Sequence, residues 1–222
     1  MMKYRGAVFD LDGVLVNTAR FHYLAWKELA EKLGFELTLT QNERLKGVSR
    51  RESLEILLQI GGRQKCFSKE EKERMAAWKN DRYVAQVMHM SDADLLDGAV
   101  DLLQRLRSMG IKTALGSASK NAPIVLKATG LLPLFDAVID GNQVSRAKPD
   151  PQVFLLGADA IGLRPAACVV FEDSMSGLTA AKRAGMCAVA IGDPKTLCNA
   201  DAVYADLPSV EIERFFGLEL RS

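Results

Sequence analysis

Two aspartates lie two residues apart near the start of the chain, directly after a short apolar run. The run covers residues 7–9, and Asp10, Leu11, Asp12 and Gly13 follow it. Apolar residues that lead into Asp and Gly indicate a buried parallel strand ending in a turn. Side chains alternate along extended backbone, so both carboxylates face the same side.

Two like charges on one side of a turn are unfavourable unless a cation or a shared proton balances them. With that balance, one aspartate can act as a nucleophile beside a metal while the other carries a proton for a leaving group. The same residues also fit a simple turn, because Asp makes Asx hydrogen bonds and Gly adopts positive φ. On this local pattern alone, the simple turn is the better supported interpretation.

Two serines follow a second apolar strand, predicted over residues 113–115. Ser117 and Ser119 precede a helix that Asn121 and Pro123 are expected to start. Free N–H groups and the helix dipole favour an anion at such a position. Serines that only cap the helix explain the local pattern equally well.

A lysine and two acidic residues occupy comparable positions later in the chain. Lys148 precedes Pro149, and the apolar run 168–171 ends in Glu172 and Asp173. Taken singly, a lysine in a loop is usually a surface residue, and acidic residues before a helix are common caps. A functional role for Lys148, Glu172 and Asp173 therefore depends on whether the fold brings them close to the other candidate residues.

Between residues 18 and about 90 the sequence has helical periodicity and no strand pattern. Apolar spacing predicts helices, and Ser68 with Glu71 forms a capping box. Residues 45–51 form a basic loop containing Gly47 and Arg50, and such a loop can offer N–H groups and a guanidinium to a phosphate. Solvated surface residues explain the same loop.

Strands alternate with helices in the rest of the chain, which predicts parallel βαβ units. The expected fold is α/β, with an open, doubly wound parallel sheet covered by helices on both faces. In such sheets, ligands bind outside the carboxyl ends of the strands. The chemically capable residues at or near those ends are Asp10, Asp12, Ser117, Lys148, Glu172 and Asp173. This coincidence of positions favours a functional site over a series of unrelated caps and turns.

The residue types specify a chemistry. Carboxylates without His or Cys form a site for a hard cation, and Mg²⁺ is favoured over zinc. A cation, a lysine and a serine can stabilise the charge that phosphoryl transfer spreads over equatorial oxygens. With an aspartate as nucleophile, the transfer passes through an aspartyl phosphate.

Composition limits the partners. The 222 residues are 48% hydrophobic and carry a net charge of +1, which fits a globular chain of one or two domains and disfavours binding to nucleic acid or anionic membrane. The four cysteines show no zinc-like spacing and are expected to be reduced. The apolar run after Lys3 and Arg5 is shorter than the apolar region of a secretion signal, and no apolar run approaches membrane-spanning length, so we expect neither a signal nor an anchor. We therefore expect a cytoplasmic protein that acts on small molecules. We also expect a monomer, although composition does not determine the oligomeric state.

The motifs around Asp10, Ser117, Lys148 and Glu172 resemble, in order, the four motifs of the haloacid dehalogenase superfamily phosphotransferases. The helical insertion is similar to that superfamily's small cap domain. The resemblance implies a Rossmann-like core of residues 1–15 and 94–222, with a helical cap of residues 16–93. It also implies a magnesium-dependent phosphotransferase.

A closer resemblance is to the β-phosphoglucomutase group of that superfamily. It is carried by residues 45–50, by Lys79-Asn80-Asp81, by Ser117–Asn121 as Ser-Ala-Ser-Lys-Asn, by Glu172-Asp173-Ser174, and by the cap residues Thr18, His22 and Trp26. The implied reaction interconverts β-D-glucose 1-phosphate and glucose 6-phosphate through β-glucose 1,6-bisphosphate.

The resemblance also implies roles for individual residues. Asp10 would be the nucleophile and Asp12 the general acid and base, while Ser117 and Lys148 would bind the transferring phosphate. Asp10, Asp12 through its carbonyl, Glu172 and Asp173 would hold Mg²⁺. Arg50, Ser119, Lys120 and Asn121 would bind the other phosphate, and Thr18, His22 and Lys79 would couple cap closure to Asp12. The remaining expected substrate-binding residues are Trp26, Gly47, Ser53 and Ala118.

Other functions remain compatible with the sequence. The nearest alternative is a sugar-phosphate phosphatase, in which water takes the phosphoryl group from Asp10. A dehalogenase is less favoured because it needs no acid at Asp12. A phosphorylated receiver module has no insertion like that beginning at Thr18. A catalytically silent sugar-phosphate sensor has no need to keep both aspartates.

Overall fold

A single parallel sheet of six strands forms the centre of the protein. The structure, a computed structural model, describes residues 3–46 and 48–217. The strands lie in the order β3-β2-β1-β4-β5-β6, and every pairing is parallel. Their bounds are β1 Gly6–Phe9, β2 Lys112–Gly116, β3 Ala137–Ile139, β4 Cys168–Glu172, β5 Cys187–Ile191 and β6 Ala202–Tyr204.

The central strand β1 is fully buried and pairs with β2 and β4. Its Phe9 is in register with Leu115 on one side and Phe171 on the other. The Phe9 and Phe171 rings stack with their centroids 4.7 Å apart. A strand buried on both faces needs apolar residues at every position, which explains the unbroken apolar runs in the sequence.

Helices cover both faces of the sheet, so the predicted doubly wound α/β fold is confirmed. Helices α5 (Ala99–Ser108), α6 (Ala122–Ala128) and α9 (Ile212–Phe216) contribute to one apolar core. Helices α7 (Gln152–Ala160) and α8 (Met175–Arg183) contribute to the core on the opposite face. The β1 side chains alternate between the two cores, with Phe9 in the first and Val8 in the second.

The segment between β1 and α5 contains helices and no extended strand among its described residues. Its helices are α1 (Ala19–Lys32), α2 (Leu39–Asn42), α3 (Arg50–Ile60) and α4 (Lys69–Val87). They enclose an apolar core of their own, built around Trp26, Leu29, Leu54, Leu57 and Leu58. The capping box predicted from Ser68 and Glu71 starts α4. We refer to residues 16–93 as the helical insertion.

Two elements of the core were not predicted. Strand β6 has three half-buried residues at the edge of the sheet, and α9 has only five residues. Elements this short provide too few residues for a periodic apolar pattern. Among the residues that the structure describes, none of the helices is both long enough and apolar enough to span a bilayer.

Candidate active site

The carboxyl ends of the three central strands bring the predicted catalytic residues together. Asp10 directly follows β1, Ser117 directly follows β2, and Glu172 is the last residue of β4. The Asp10 amide donates to the Phe171 carbonyl at 2.9 Å, and the Ser117 amide donates to the Ile139 carbonyl at 3.0 Å. The positions of Asp10, Ser117 and Glu172 are thus fixed by the hydrogen bonding of the sheet itself.

Lys148 joins two of these carboxylates. Its Nζ lies 2.7 Å from Asp10 Oδ1 and 2.7 Å from Glu172 Oε1, and its side chain is buried. The other Glu172 oxygen accepts hydrogen bonds from the Ser174 amide at 2.7 Å and the Ser174 hydroxyl at 2.9 Å. Both Glu172 oxygens are therefore satisfied without water, as a buried carboxylate requires.

The site holds more carboxylates than Lys148 can neutralise. Burial raises the pKa of Asp10 to about 7, and this effect outweighs the opposing attraction of Lys148. Burial and the neighbouring Glu172 and Asp10 raise the pKa of Asp173 well above its ordinary value. Burial opposes the charge on Lys148, but the attraction of Asp10 and Glu172 is larger and raises its pKa. The arrangement favours binding of an additional cation.

Carboxylate oxygens of Asp10, Glu172 and Asp173 lie within 4.8 Å of one another, a spacing that fits one divalent metal ion. Glycines allow this approach. A Cβ on Gly13, whose φ is +83°, would lie 2.0 Å from Asp173 Oδ2. A Cβ on Gly177 would lie 1.7 Å from Glu172 Oε1. Gly13 therefore adopts the positive φ of the predicted turn, and its missing side chain leaves space for the Asp173 carboxylate.

Asp12 lies at the entrance to the helical insertion and is partly exposed. Its Oδ1 accepts a hydrogen bond from the Thr18 hydroxyl and lies 3.8 Å from His22 Nε2. Burial raises the pKa of Asp12, whereas the Thr18 hydrogen bond and Lys148 lower it. A raised pKa favours the protonated form that a general acid needs.

His22 and Lys79 form a second pair beside Asp12. Lys79 Nζ lies 2.7 Å from His22 Nδ1, so the ammonium donates and the ring proton is assigned to Nε2, which faces Asp12. Burial and the charge of Lys79 lower the pKa of His22 well below its ordinary value. Burial and Arg50 lower the pKa of Lys79 to about 7.

Tyr83 also belongs to this cluster, although it was not predicted from the sequence. Its buried ring stacks on the His22 ring with centroids 3.9 Å apart. Lys79 Nζ lies 5.0 Å from the centroid of Tyr83 and 4.6 Å from that of Trp26. Tyr83 follows Lys79 by four residues on α4, a spacing that places both on one face of a helix. From this spacing, Tyr83 could have been predicted to lie beside Lys79.

A cavity of about 460 Å³ lies between the helical insertion and the carboxyl edge of the sheet. The predicted residues that line it are Asp10, Asp12, His22, Trp26, Arg50, Ser53, Lys79, Ser117, Ala118, Ser119, Lys120, Asn121 and Asp173. Thr18, Lys148 and Glu172 are buried and are not among the residues that line it. Gly47 lies outside the described residues.

The lining of this cavity combines acidic and basic side chains. Asp10 and Asp173 come from the carboxyl edge of the sheet, Arg50 from the insertion and Lys120 from the loop after β2. Ser53 Oγ lies 3.1 Å from the Leu45 carbonyl, so its hydroxyl is engaged with the loop backbone. Lys46, Ser49 and Asn80 line the cavity as well and were not predicted as site residues.

The loop after β2 is arranged by short-range hydrogen bonds. The Ser119 amide donates to Ser117 Oγ at 3.1 Å, and the Asn121 amide donates to Ser119 Oγ at 3.2 Å. Gly141 supports this loop from behind, because its amide donates to the Ser119 carbonyl at 3.2 Å. A Cβ on Gly141 would lie 2.4 Å from the Ala118 carbonyl oxygen. These contacts hold the Ser117–Asn121 side chains against the cavity.

Comparison with known proteins agrees with this geometry. A family model described as haloacid dehalogenase-like hydrolase matches residues 4–185. The chain belongs to that family. Among its relatives, the β-phosphoglucomutase of Bacillus subtilis is 38% identical over 209 residues, which cover 94% of this chain and 92% of the relative. A phosphorylated carbohydrates phosphatase of Thermotoga maritima is 32% identical over 206 residues, covering 88% and 91%.

A solved structure is similar to this chain over nearly its whole length. The crystal structure of β-phosphoglucomutase from Clostridium difficile superposes with a TM-score of 0.91 at 38% sequence identity. The match covers 95% of both chains, so it includes the helical insertion as well as the sheet. The predicted membership of the haloacid dehalogenase superfamily is therefore confirmed.

The raised pKa values in the acidic cluster predict how stability depends on pH without a cation. Between about pH 4 and pH 7, an unfolded chain has lost the Asp10 proton while the folded protein retains it. The raised pKa of Asp173 acts in the same direction. The free energy of unfolding contributed by this cluster should thus fall as the pH rises. Asp173→Asn removes one crowded charge, so it should raise the unfolding temperature above that of the parent at pH 7.5 in EDTA.

The control for this measurement is Asp159→Asn, which changes an exposed aspartate on α7. The gain from Asp173→Asn should shrink at pH 5, where the parent cluster is already partly protonated, and Asp159→Asn should show no such dependence. An Asp173→Asn protein less stable than the parent at pH 7.5 would contradict the electrostatic account.

Proposed function

We propose that the protein is a β-phosphoglucomutase, which interconverts β-D-glucose 1-phosphate and glucose 6-phosphate through an aspartyl phosphate and β-glucose 1,6-bisphosphate. The observation that carries this proposal is the combination of Asp10 in a cation-seeking carboxylate cluster with basic groups elsewhere in the same cavity. A mutase must present either phosphate of a bisphosphate to one nucleophile, and it therefore needs a second phosphate site.

Asp10 is the proposed nucleophile. One of its carboxylate oxygens forms a bond to phosphorus as the bond from phosphorus to the sugar oxygen breaks, which leaves an acyl phosphate. Lys148 and Ser117 are proposed to bind the transferring phosphate, because Lys148 contacts Asp10 and Ser117 follows the adjacent strand and lines the cavity. Their donors offset the negative charge of its equatorial oxygens.

Asp12 is the proposed general acid and base. Its carboxyl group gives a proton to the departing sugar oxygen, and its carboxylate later accepts a proton from the attacking sugar hydroxyl. Thr18 and His22 contact Asp12 from the helical insertion, and Lys79 fixes the His22 ring. Movement of the insertion would therefore place Asp12, which would couple proton transfer to the bound sugar phosphate.

Mg²⁺ is the proposed cofactor, because the ligands are oxygen atoms and the substrate brings phosphate. The carboxylates of Asp10, Glu172 and Asp173 and the carbonyl of Asp12 would hold it. When bound, it would neutralise charge on the nucleophile and the phosphate.

The distal phosphate site is proposed to consist of Arg50, Ser119, Lys120 and Asn121. Arg50 comes from the helical insertion at the start of α3, and the other three residues come from the loop after β2. A guanidinium binds two phosphate oxygens at once, which supports orientation as well as affinity. Trp26, Ser53, Ala118 and Gly47 are the proposed sugar contacts or supports.

We also propose that residues 16–93 act as a cap over a core of residues 1–15 and 94–222. The two chain crossings lie side by side, because Val16 forms a bridge with Leu95. A closed cap would keep water from the aspartyl phosphate. A monomeric state and a cytoplasmic location remain predictions from the sequence.

A sugar-phosphate phosphatase is the second candidate, since the phosphorylated carbohydrates phosphatase of Thermotoga maritima is also similar to this chain. The products distinguish the two functions. With Mg²⁺, β-D-glucose 1-phosphate and a trace of β-glucose 1,6-bisphosphate, we expect glucose 6-phosphate to exceed released inorganic phosphate by at least about tenfold. Asp10→Asn should abolish both products, because a neutral amide does not form the acyl phosphate. Inorganic phosphate as the main product would indicate the phosphatase.

Arg50→Ala tests the distal site. Loss of a guanidinium–phosphate contact should reduce kcat/KM for β-D-glucose 1-phosphate by about a hundredfold, from roughly 3 kcal/mol of lost transition-state binding. Hydrolysis of acetyl phosphate uses the site at Asp10 only and should change less than about threefold. The matched control is Arg74→Ala, an exposed arginine on α4 of the helical insertion that does not line the cavity. Equal losses with both substrates would rule out the assigned role of Arg50.

A further inference from the structure

Asn80 joins the helical insertion to the core on the wall of the cavity. It lies on α4, and its Oδ1 accepts a hydrogen bond from Asn121 Nδ2 at 2.8 Å. Asn121 is the residue before α6 and is itself buried. Both asparagines line the cavity, together with Arg50 and Lys120. The bond thus links a residue of the insertion to one that is proposed to bind the distal phosphate.

Among the residues that the structure describes, no group accepts a hydrogen bond from Asn80 Nδ2. An asparagine amide has one carbonyl acceptor and two N–H donors, and the carbonyl of Asn80 is occupied by Asn121. Phosphate oxygens without protons only accept hydrogen bonds, so the Nδ2 donors of Asn80 match them. Arg50 and Lys79, two of the cationic residues of the insertion that line the cavity, make the surroundings favourable to an anion.

We propose that Asn80 is a ligand of the distal phosphate, donating from Nδ2 while the bond to Asn121 orients its amide. This inference rests on the proposed function, because it assumes the second phosphate site of a mutase. The distal phosphate then contacts Arg50 and Asn80 from the insertion and Ser119, Lys120 and Asn121 from the core. A substrate that carries a distal phosphate therefore holds the insertion against the sheet. A small phosphate donor such as acetyl phosphate has no distal phosphate and does not.

Two substitutions separate the ligand role from the link between the domains. Asn80→Asp keeps an oxygen that can accept from Asn121, but it replaces the Nδ2 donors with negative charge. Asn80→Ala removes both the link and the donors without adding charge. A ligand role predicts that Asp is more harmful than Ala, and a purely linking role predicts the reverse.

The experiment measures kcat and KM for β-D-glucose 1-phosphate, with Mg²⁺ and a fixed trace of β-glucose 1,6-bisphosphate, alongside hydrolysis of acetyl phosphate. We expect kcat/KM for the sugar phosphate to fall about tenfold in Asn80→Ala and about a hundredfold in Asn80→Asp. Acetyl phosphate hydrolysis should stay within about twofold of the parent in both variants, which also shows that they are folded. Ala85→Asp, which adds a charge at an exposed position of α4, should leave both reactions unchanged.

An Asn80→Asp variant as active as the parent, or less impaired than Asn80→Ala, would overturn the ligand role, as would equal losses with the two substrates. Failure of the proposed function gives a different result. In that case the parent protein itself forms no glucose 6-phosphate, whatever residue occupies position 80.

Discussion

The protein depends on a group of like charges that its sheet forces together. Asp10, Glu172 and Asp173 lie where two central parallel strands end, and one buried lysine, Lys148, bridges two of them. Removing one partner of a buried ion pair typically costs about 3–5 kcal/mol, so these residues are tightly interdependent. Three carboxylates thus face one ammonium group, and the described side chains of this cluster include no second cation. This excess of negative charge favours the binding of a cation, and a bound cation in turn favours the binding of a phosphate group.

Much of this arrangement could be predicted from the sequence, because parallel strands place their ends at one edge. The buried runs before Asp10, Ser117 and Asp173 located three of those ends, and alternation with helices gave the parallel sheet. Each residue alone had an ordinary structural explanation. The resemblance to a known superfamily then supplied roles that spacing alone does not provide, such as the different tasks of Asp10 and Asp12.

What the sequence could not provide are contacts between segments far apart in the chain. Tyr83 stacks on His22, and Asn80 accepts a hydrogen bond from Asn121, yet the partners are separated by 61 and 41 residues. Local periodicity in the sequence does not predict these contacts, because they depend on how the helices of the insertion pack against each other and against the sheet. Strand β6 was missed for a simpler reason, because three half-buried edge residues carry too weak a pattern.

The most direct test is to locate the cation. Mn²⁺ has the same charge and ligand preference as Mg²⁺ and scatters X-rays anomalously, so crystals grown with MnCl₂ would show its position. The account predicts one strong anomalous peak within coordination distance of Asp10 and Asp173, with Glu172 adjacent. A peak bound elsewhere, or none at a saturating concentration of Mn²⁺, would contradict the claim that this cluster is a cation site built for phosphoryl transfer.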